Sequence, residues 1–196
     1  MRFEPKGWHP DSRFVDLGRR RSGLSARGDR AHYVDSGGPG LPVLLLHGIL
    51  VSSWSWRFNL EPLRAAGLRP IAVCQQGFGW SSKSGVTGLD SLTNFIRRFA
   101  DELGLERFAV VGNSLGGAVA IRLALDIPDR VERLVLVSPA VVPVRLVAPF
   151  LALQHGRLWP VYRLAGRKAL YRWLLQRYAY SNLTVDDHYM HWFYGP

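Results

Sequence analysis

The sequence predicts an α/β fold: a mostly parallel sheet with helices on both faces, followed by a helical segment. Three observations carry this. Short apolar runs (Val43–Leu46, Pro70–Val73, Phe108–Val111, Leu134–Val137) alternate with stretches of helical period. Unbroken apolar runs suit strands buried on both faces, and their alternation with helices suits a parallel sheet. After Pro143 the texture becomes aromatic and arginine-rich, with helical spacing and no strand-like run. We expect a core over residues 1–142 and a helical cap or lid over 143–196.

In order, Arg13–Leu17 and Ala31–Asp35 alternate apolar and polar residues, as half-buried strands do, and read as an antiparallel pair. Val43–Leu46 is a buried strand ending in His47-Gly48-Ile49-Leu50. A helix is expected from about Trp56 to Ala66, stopped by Gly67. Pro70–Val73 is the next strand, followed by the loop Cys74-Gln75-Gln76-Gly77-Phe78-Gly79-Trp80-Ser81. No Lys-Ser/Thr follows these glycines and no Gly-x-Gly-x-x-Gly opens a helix, which excludes a nucleotide cradle. Leu89–Leu103 is an amphipathic helix with Leu92, Phe95, Ile96 and Phe99 on one stripe. Arg133–Val137 reads as a further buried strand.

Between them lies the stretch that carries chemistry, Gly112-Asn113-Ser114-Leu115-Gly116-Gly117. A strand runs into it and a helix (Leu115 to about Leu125) leaves it. A sharp strand-to-helix turn with glycines flanking one serine leaves that hydroxyl projecting beside the free N–H groups of a helix N-terminus. The competing reading is an ordinary helix start with Ser114 as N-cap. His47-Gly48-Ile49, the Gly77–Ser82 loop, Ser114 and Ser138-Pro139 all fall at carboxyl ends of strands, where ligands bind in open α/β sheets.

Composition narrows the function classes. The chain has 196 residues, enough for one sizeable core, and 47% are hydrophobic. A single cysteine, Cys74, excludes a disulfide framework, and no apolar stretch follows Met1 as in a signal peptide, so a cytoplasmic setting is expected. Net charge is +10, yet residues 36–142 are nearly balanced, with 10 basic and 8 acidic groups. We read the surplus as arginine on solvated faces and expect no nucleic-acid partner. An anionic-surface binder is the competing reading, and it predicts steeply salt-dependent binding. The apolar stretch Leu146–Leu153 is too short to span a membrane. It reads as part of a lid in preference to a helix that meets lipid, so no membrane partner is expected.

Taken together, Val43–Gly48, Gly77-Phe78-Gly79-Trp80-Ser81, Gly112–Gly117 and Pro128-Asp129-Arg130-Val131 resemble the α/β-hydrolase family, of the serine-nucleophile, lidded type. The resemblance implies roles position by position. Ser114 matches the nucleophile. The backbone N–H groups of Leu115 and Ile49 match the oxyanion-hole donors. His47, Gly48, Gly112 and Gly116 match supporting positions, and His47 is not the base. A hydrophobic, ester-like small molecule is the implied substrate, with no cofactor and no metal. Carbon–carbon bond hydrolysis by the same machinery stays open. A serine at the elbow argues against dehalogenase and epoxide hydrolase relatives, which use aspartate there.

Two features depart from the family pattern. Cys74 stands where the family usually has aspartate. The triad acid and base are also absent from recognisable positions. After Ser114 the acids are Asp126, Asp129, Glu132, Asp186 and Asp187, and the histidines are His155, His188 and His191. Asp126 lies at the far end of the elbow helix, with Asp129 and Glu132 beyond it. Asp186-Asp187-His188-x-x-His191 reads as a polar lid surface rather than a substitute acid and base or a metal site. Family members continue past the lid into two strands whose loops bear the acid and the histidine. We therefore expect an N-terminal portion of such a hydrolase, with Leu134–Val137 an unpaired apolar edge, and a non-catalytic ligand-binding fragment as the alternative.

Overall fold

A computed structural model describes residues 9–18, 28–83, 86–141, 169, 172–173, 176, 184 and 186–194. Six strands form one sheet in the order β1-β2-β4-β3-β5-β6. They are β1 (Ser12–Asp16), β2 (Arg30–Asp35), β3 (Pro42–Leu46), β4 (Arg69–Val73), β5 (Phe108–Asn113) and β6 (Val131–Val137). β1 and β2 are antiparallel, as is β2 with β4; β4, β3, β5 and β6 run parallel.

The apolar run of β3 is explained by what covers each face. Leu44 and Leu46 join a core with Phe95, Ile96 and Phe99 of α2 (Leu89–Glu102) and Val119 and Leu123 of α3 (Leu115–Asp126). Val43 and Leu45 face the other way, with Leu60 of α1 (Leu60–Ala65). Fully burying a side chain such as Phe95 stabilises the fold by roughly 1.5–3 kcal/mol.

α1 starts later than the sequence pattern suggests. Residues Ser53–Trp56 form a short 3-10 helix whose first turn is capped by Ser52, its hydroxyl accepting from the Trp54 N–H. Pro62 supplies the reason. It has no N–H to donate back to Phe58, so a helix from Trp56 would be broken, whereas in a helix from Leu60 the proline falls in the permissive first turn.

β6 is a strand as expected but is not buried. It ends the sheet order, and Leu134, Val135, Leu136 and Val137 are 39–50% exposed. Register places the site. Leu46 lies opposite both Val73 and Gly112, and Asn113 lies opposite Val137. The residues that follow (His47, Cys74, Ser114 and Ser138) therefore share one rim.

The proposed cap over 143–196 falls mostly outside the described residues. Within it α4 (Asp187–Tyr194) packs on the 3-10 helix, the Tyr189 ring 5.1 Å from that of Trp54, with Met190 buried. Among the described residues no helix is long and apolar enough to cross a membrane.

Candidate active site

Ser114 does not have the geometry of an ordinary N-cap. Its backbone stands at φ +52°, ψ −114°, and its side chain makes no capping bond. An N-cap serine sits in the extended region and accepts from an N–H of the first turn. Among the described residues three non-glycine positions have positive φ: Leu50, Ser114 and Ser138. All three lie on the rim, in loops after β3, β5 and β6. Such conformations cost about 1–3 kcal/mol each and persist where the surroundings impose them.

The surroundings here are specific. The Ser114 N–H donates to the Val137 carbonyl at 3.0 Å, and the Ser114 carbonyl accepts from Gly117 at 2.9 Å and from Ala140 at 2.9 Å. Asn113 adds its side-chain amide to the Val137 carbonyl at 3.2 Å. The flanking glycines are steric necessities. A Cβ at Gly112 would lie 2.4 Å from the Gly116 carbonyl oxygen, and one at Gly117 2.7 Å from Pro139 Cβ.

The loop after β3 meets this elbow directly. A Cβ on Gly48 would lie 3.3 Å from Ser114 Cβ. Ile49 and Leu115 are both half-buried, and neither N–H has an acceptor among the described residues. The Ser114 hydroxyl likewise makes no hydrogen bond to a described residue. The elements thus bring Ser114, Gly48, Ile49 and Leu115 together.

His47 lies beneath, fully buried. Its Nε2 accepts from the Gln75 N–H at 3.0 Å, so the proton is on Nδ1, which donates to the Gly48 carbonyl at 2.7 Å. Burial lowers its pKa to about 4, assisted by the Lys83 charge and opposed by the bond to Gly48. Both nitrogens are engaged and the ring is neutral, so it offers no free base.

Cys74 is buried among polar partners that sequence reasoning did not anticipate. His32 Nδ1 lies 3.3 Å from its sulfur, Ser53 Oγ 3.1 Å and Ser53 N 3.5 Å. Burial pushes the thiol up, but His32 and the hydrogen bonds from His32 and Ser53 outweigh it and bring the pKa down to about 7. A lone histidine in β2 gives no sequence signal of this role.

The remaining carboxylates are turned to other partners or to solvent, Asp129 being exposed in the turn after α3. Asp126 pairs with Arg122 at 2.8 Å and Glu132 with Arg107 at 3.0 Å. Asp186 accepts from the Tyr189 N–H at 2.9 Å, capping α4, and Asp187 pairs with Arg172. His191 is exposed, its ring 6.0 Å from that of Trp80. His155 and the side chain of His188 lie outside the described residues. No group of three or more metal-binding side chains occurs among the described residues.

Comparison with known proteins agrees with this architecture. Residues 42–184 match the family model of the alpha/beta hydrolase fold. The chain is 42% identical over 113 residues to the dihydrolipoyllysine-residue acetyltransferase component of the acetoin cleaving system of Cupriavidus necator, covering 57% of this chain and 30% of that protein. It is 37% identical over 166 residues to a 2-hydroxy-6-oxononadienedioate/2-hydroxy-6-oxononatrienedioate hydrolase of Cupriavidus pinatubonensis, covering 82% of this chain and 57% of that one. The solved structure of a probable hydrolytic enzyme from Pseudomonas aeruginosa superposes with a TM-score of 0.58 at 33% identity, over 65% of this chain and 41% of that one. The chain thus spans 30% and 57% of the length of these two curated relatives. On the match over residues 42–184, the chain belongs to the alpha/beta hydrolase fold family.

Proposed function

We propose that this chain is the nucleophile-bearing portion of a serine hydrolase acting on a small hydrophobic carboxylic ester in the cytoplasm. The observation that carries the reading is the strained backbone of Ser114 beside the Gly48 loop, with a hydroxyl that has no hydrogen-bond partner among the described residues. In the reaction Ser114 Oγ bonds to the ester carbonyl carbon and gives up its proton to a base. The carbonyl oxygen becomes an oxyanion received by the N–H groups of Ile49 and Leu115. The C–O bond then breaks, the alcohol leaves with a proton, and water releases the acid from Ser114. Loss of one such donor typically costs about 10²–10³ in rate. The base and its orienting acid are not assigned to residues of this chain.

A second reading is favoured by the 166-residue match to the 2-hydroxy-6-oxononadienedioate-type hydrolase: the same serine and donors would act on a carbon–carbon bond next to a ketone. The test is a fluorophosphonate probe with turnover of p-nitrophenyl esters and of a vinylogous 1,5-diketone, on protein expressed from its complete reading frame. Labelling of Ser114, abolished by Ser114→Ala, is expected. A folded protein with an unlabelled Ser114 and no turnover would sink the proposal, and turnover of the diketone alone selects the second reading.

A further inference from the structure

We propose that Cys74 and Gln75 are positioning residues, a clamp of two adjacent positions that holds both ends of the loop carrying the Ile49 N–H. The inference rests on the oxyanion role proposed for Ile49.

Gln75 holds the front of the loop. Its backbone N–H donates to His47 Nε2 at 3.0 Å and its side-chain amide to the His47 carbonyl at 2.5 Å. Cys74 holds the back. Its sulfur accepts the Ser53 N–H at 3.5 Å and lies 3.1 Å from the Ser53 hydroxyl. Ile49 lies between these two anchors, next to Leu50, whose backbone is held at φ +61°. A loop with a strained residue needs such restraint at its ends.

Sulfur is set up as the acceptor. His32 Nε2 is buried and has no hydrogen-bond partner. A proton there would be an orphaned donor, which costs about 1–3 kcal/mol. The proton therefore belongs on Nδ1, which donates to the sulfur 3.3 Å away. Space is made for it as well, since a Cβ at Gly79 would lie 2.5 Å from Sγ. Where the family usually carries aspartate, this chain presents a large, soft acceptor with a histidine behind it.

Amide hydrogen exchange by NMR tests the clamp on the whole chain without any turnover. Cys74→Ala is expected to speed exchange at Ser53 by at least about tenfold, the equivalent of one lost hydrogen bond. The Ile49 amide resonance should shift with it, and Cys74→Asp should restore both. Equal Ser53 exchange in Cys74→Ala and the unaltered chain, or no rescue by aspartate, overturns the proposal. Should Cys74→Ala fail to fold, the imidazole nitrogen shifts of His32 in the unaltered protein decide. A proton on Nδ1 is expected, and one on Nε2 overturns the acceptor role. Gln75→Ala keeps the backbone N–H to His47 Nε2 but removes the side-chain donor to the His47 carbonyl, so the Ile49 amide resonance should shift with the ring tautomer unchanged, and an unmoved Ile49 resonance overturns its half. With esters, the Cys74→Ala defect is expected in kcat rather than KM. An unlabelled Ser114 would remove the function and leave the exchange result standing, so the two failures are distinguishable.

Discussion

A methyl group on Gly116 would lie 2.2 Å from the carbonyl oxygen of Leu46. The first turn of α3 therefore rests on the end of β3, which is fixed between β4 and β5. Neither backbone can retreat. Gly116→Ala is expected to lose about 3 kcal/mol, the upper range for overpacking. Gly67→Ala is the control: φ is +83° but its Cβ would meet open space, so conformational strain alone, about 1–2 kcal/mol, applies. Denaturant unfolding of both variants checks this, and equal losses would contradict the steric account.

His47 makes stability depend on acid. Burial holds its folded pKa at about 4 against an ordinary 6.5. Between those values the unfolded chain binds a proton that the folded chain does not. Its contribution is complete above pH 6.5 and is lost as pH falls toward 4, by about 3 kcal/mol in all. His47→Gln is expected to flatten the stability profile between pH 6.5 and 4, relative to the unaltered chain. A profile of unchanged slope rejects the assignment.

The fold was largely legible because β3, β4 and β5 each carry an apolar run, a pattern set by cover on both faces. The elbow was legible because its glycines are forced by contacts under 3 Å. Two kinds of feature were not. Pro62 moved the start of α1 through a missing N–H, which a hydrophobic pattern does not record. The burial expected for Arg133–Val137 failed because burial belongs to the neighbours, and no described strand lies beyond β6. The Cys74–His32 contact joins positions 42 residues apart, and no local pattern encodes such a pair.

Arg98 ties α2 to the start of the sheet. It donates to Asp29 Oδ2 at 2.7 Å and to the carbonyls of Leu17 and Gly18, while Gln76 reaches Asp29 Oδ1 at 3.1 Å. Asp29 is 3% exposed. Losing a hydrogen bond to a charged group costs about 1.5–3 kcal/mol, and Gln76 still serves Asp29 when Arg98 is gone. Arg98→Ala should fall in that range, and Asp29→Asn added to it should recover part of the loss. Strict additivity in this double-mutant cycle would show that the pair is uncoupled.

β6 presents an apolar edge, with Val135 half exposed. Exposed apolar edges template pairing between chains, and a lysine there opposes it. Val135→Lys is expected to change unfolding free energy by less than about 0.5 kcal/mol. It should at the same time reduce self-association in sedimentation velocity. Unchanged association assigns that tendency to another surface.

Ser114 holds a backbone conformation that suits glycine. At φ +52°, ψ −114° its Cβ pays a steric penalty that Ser114→Ala retains and Ser114→Gly relieves. Glycine gives part of this back through the greater freedom of the unfolded chain, roughly 0.5–1 kcal/mol. With strain of about 1–3 kcal/mol at such positions, Ser114→Gly should be more stable than Ser114→Ala by about 1 kcal/mol. Both variants lack the hydroxyl and both should be dead to the fluorophosphonate probe. Thermal unfolding of the pair thus measures backbone strain separately from chemistry. If alanine proves as stable as glycine, the elbow is relaxed in solution. The hydroxyl would then lose the fixed projection on which its proposed role as nucleophile depends.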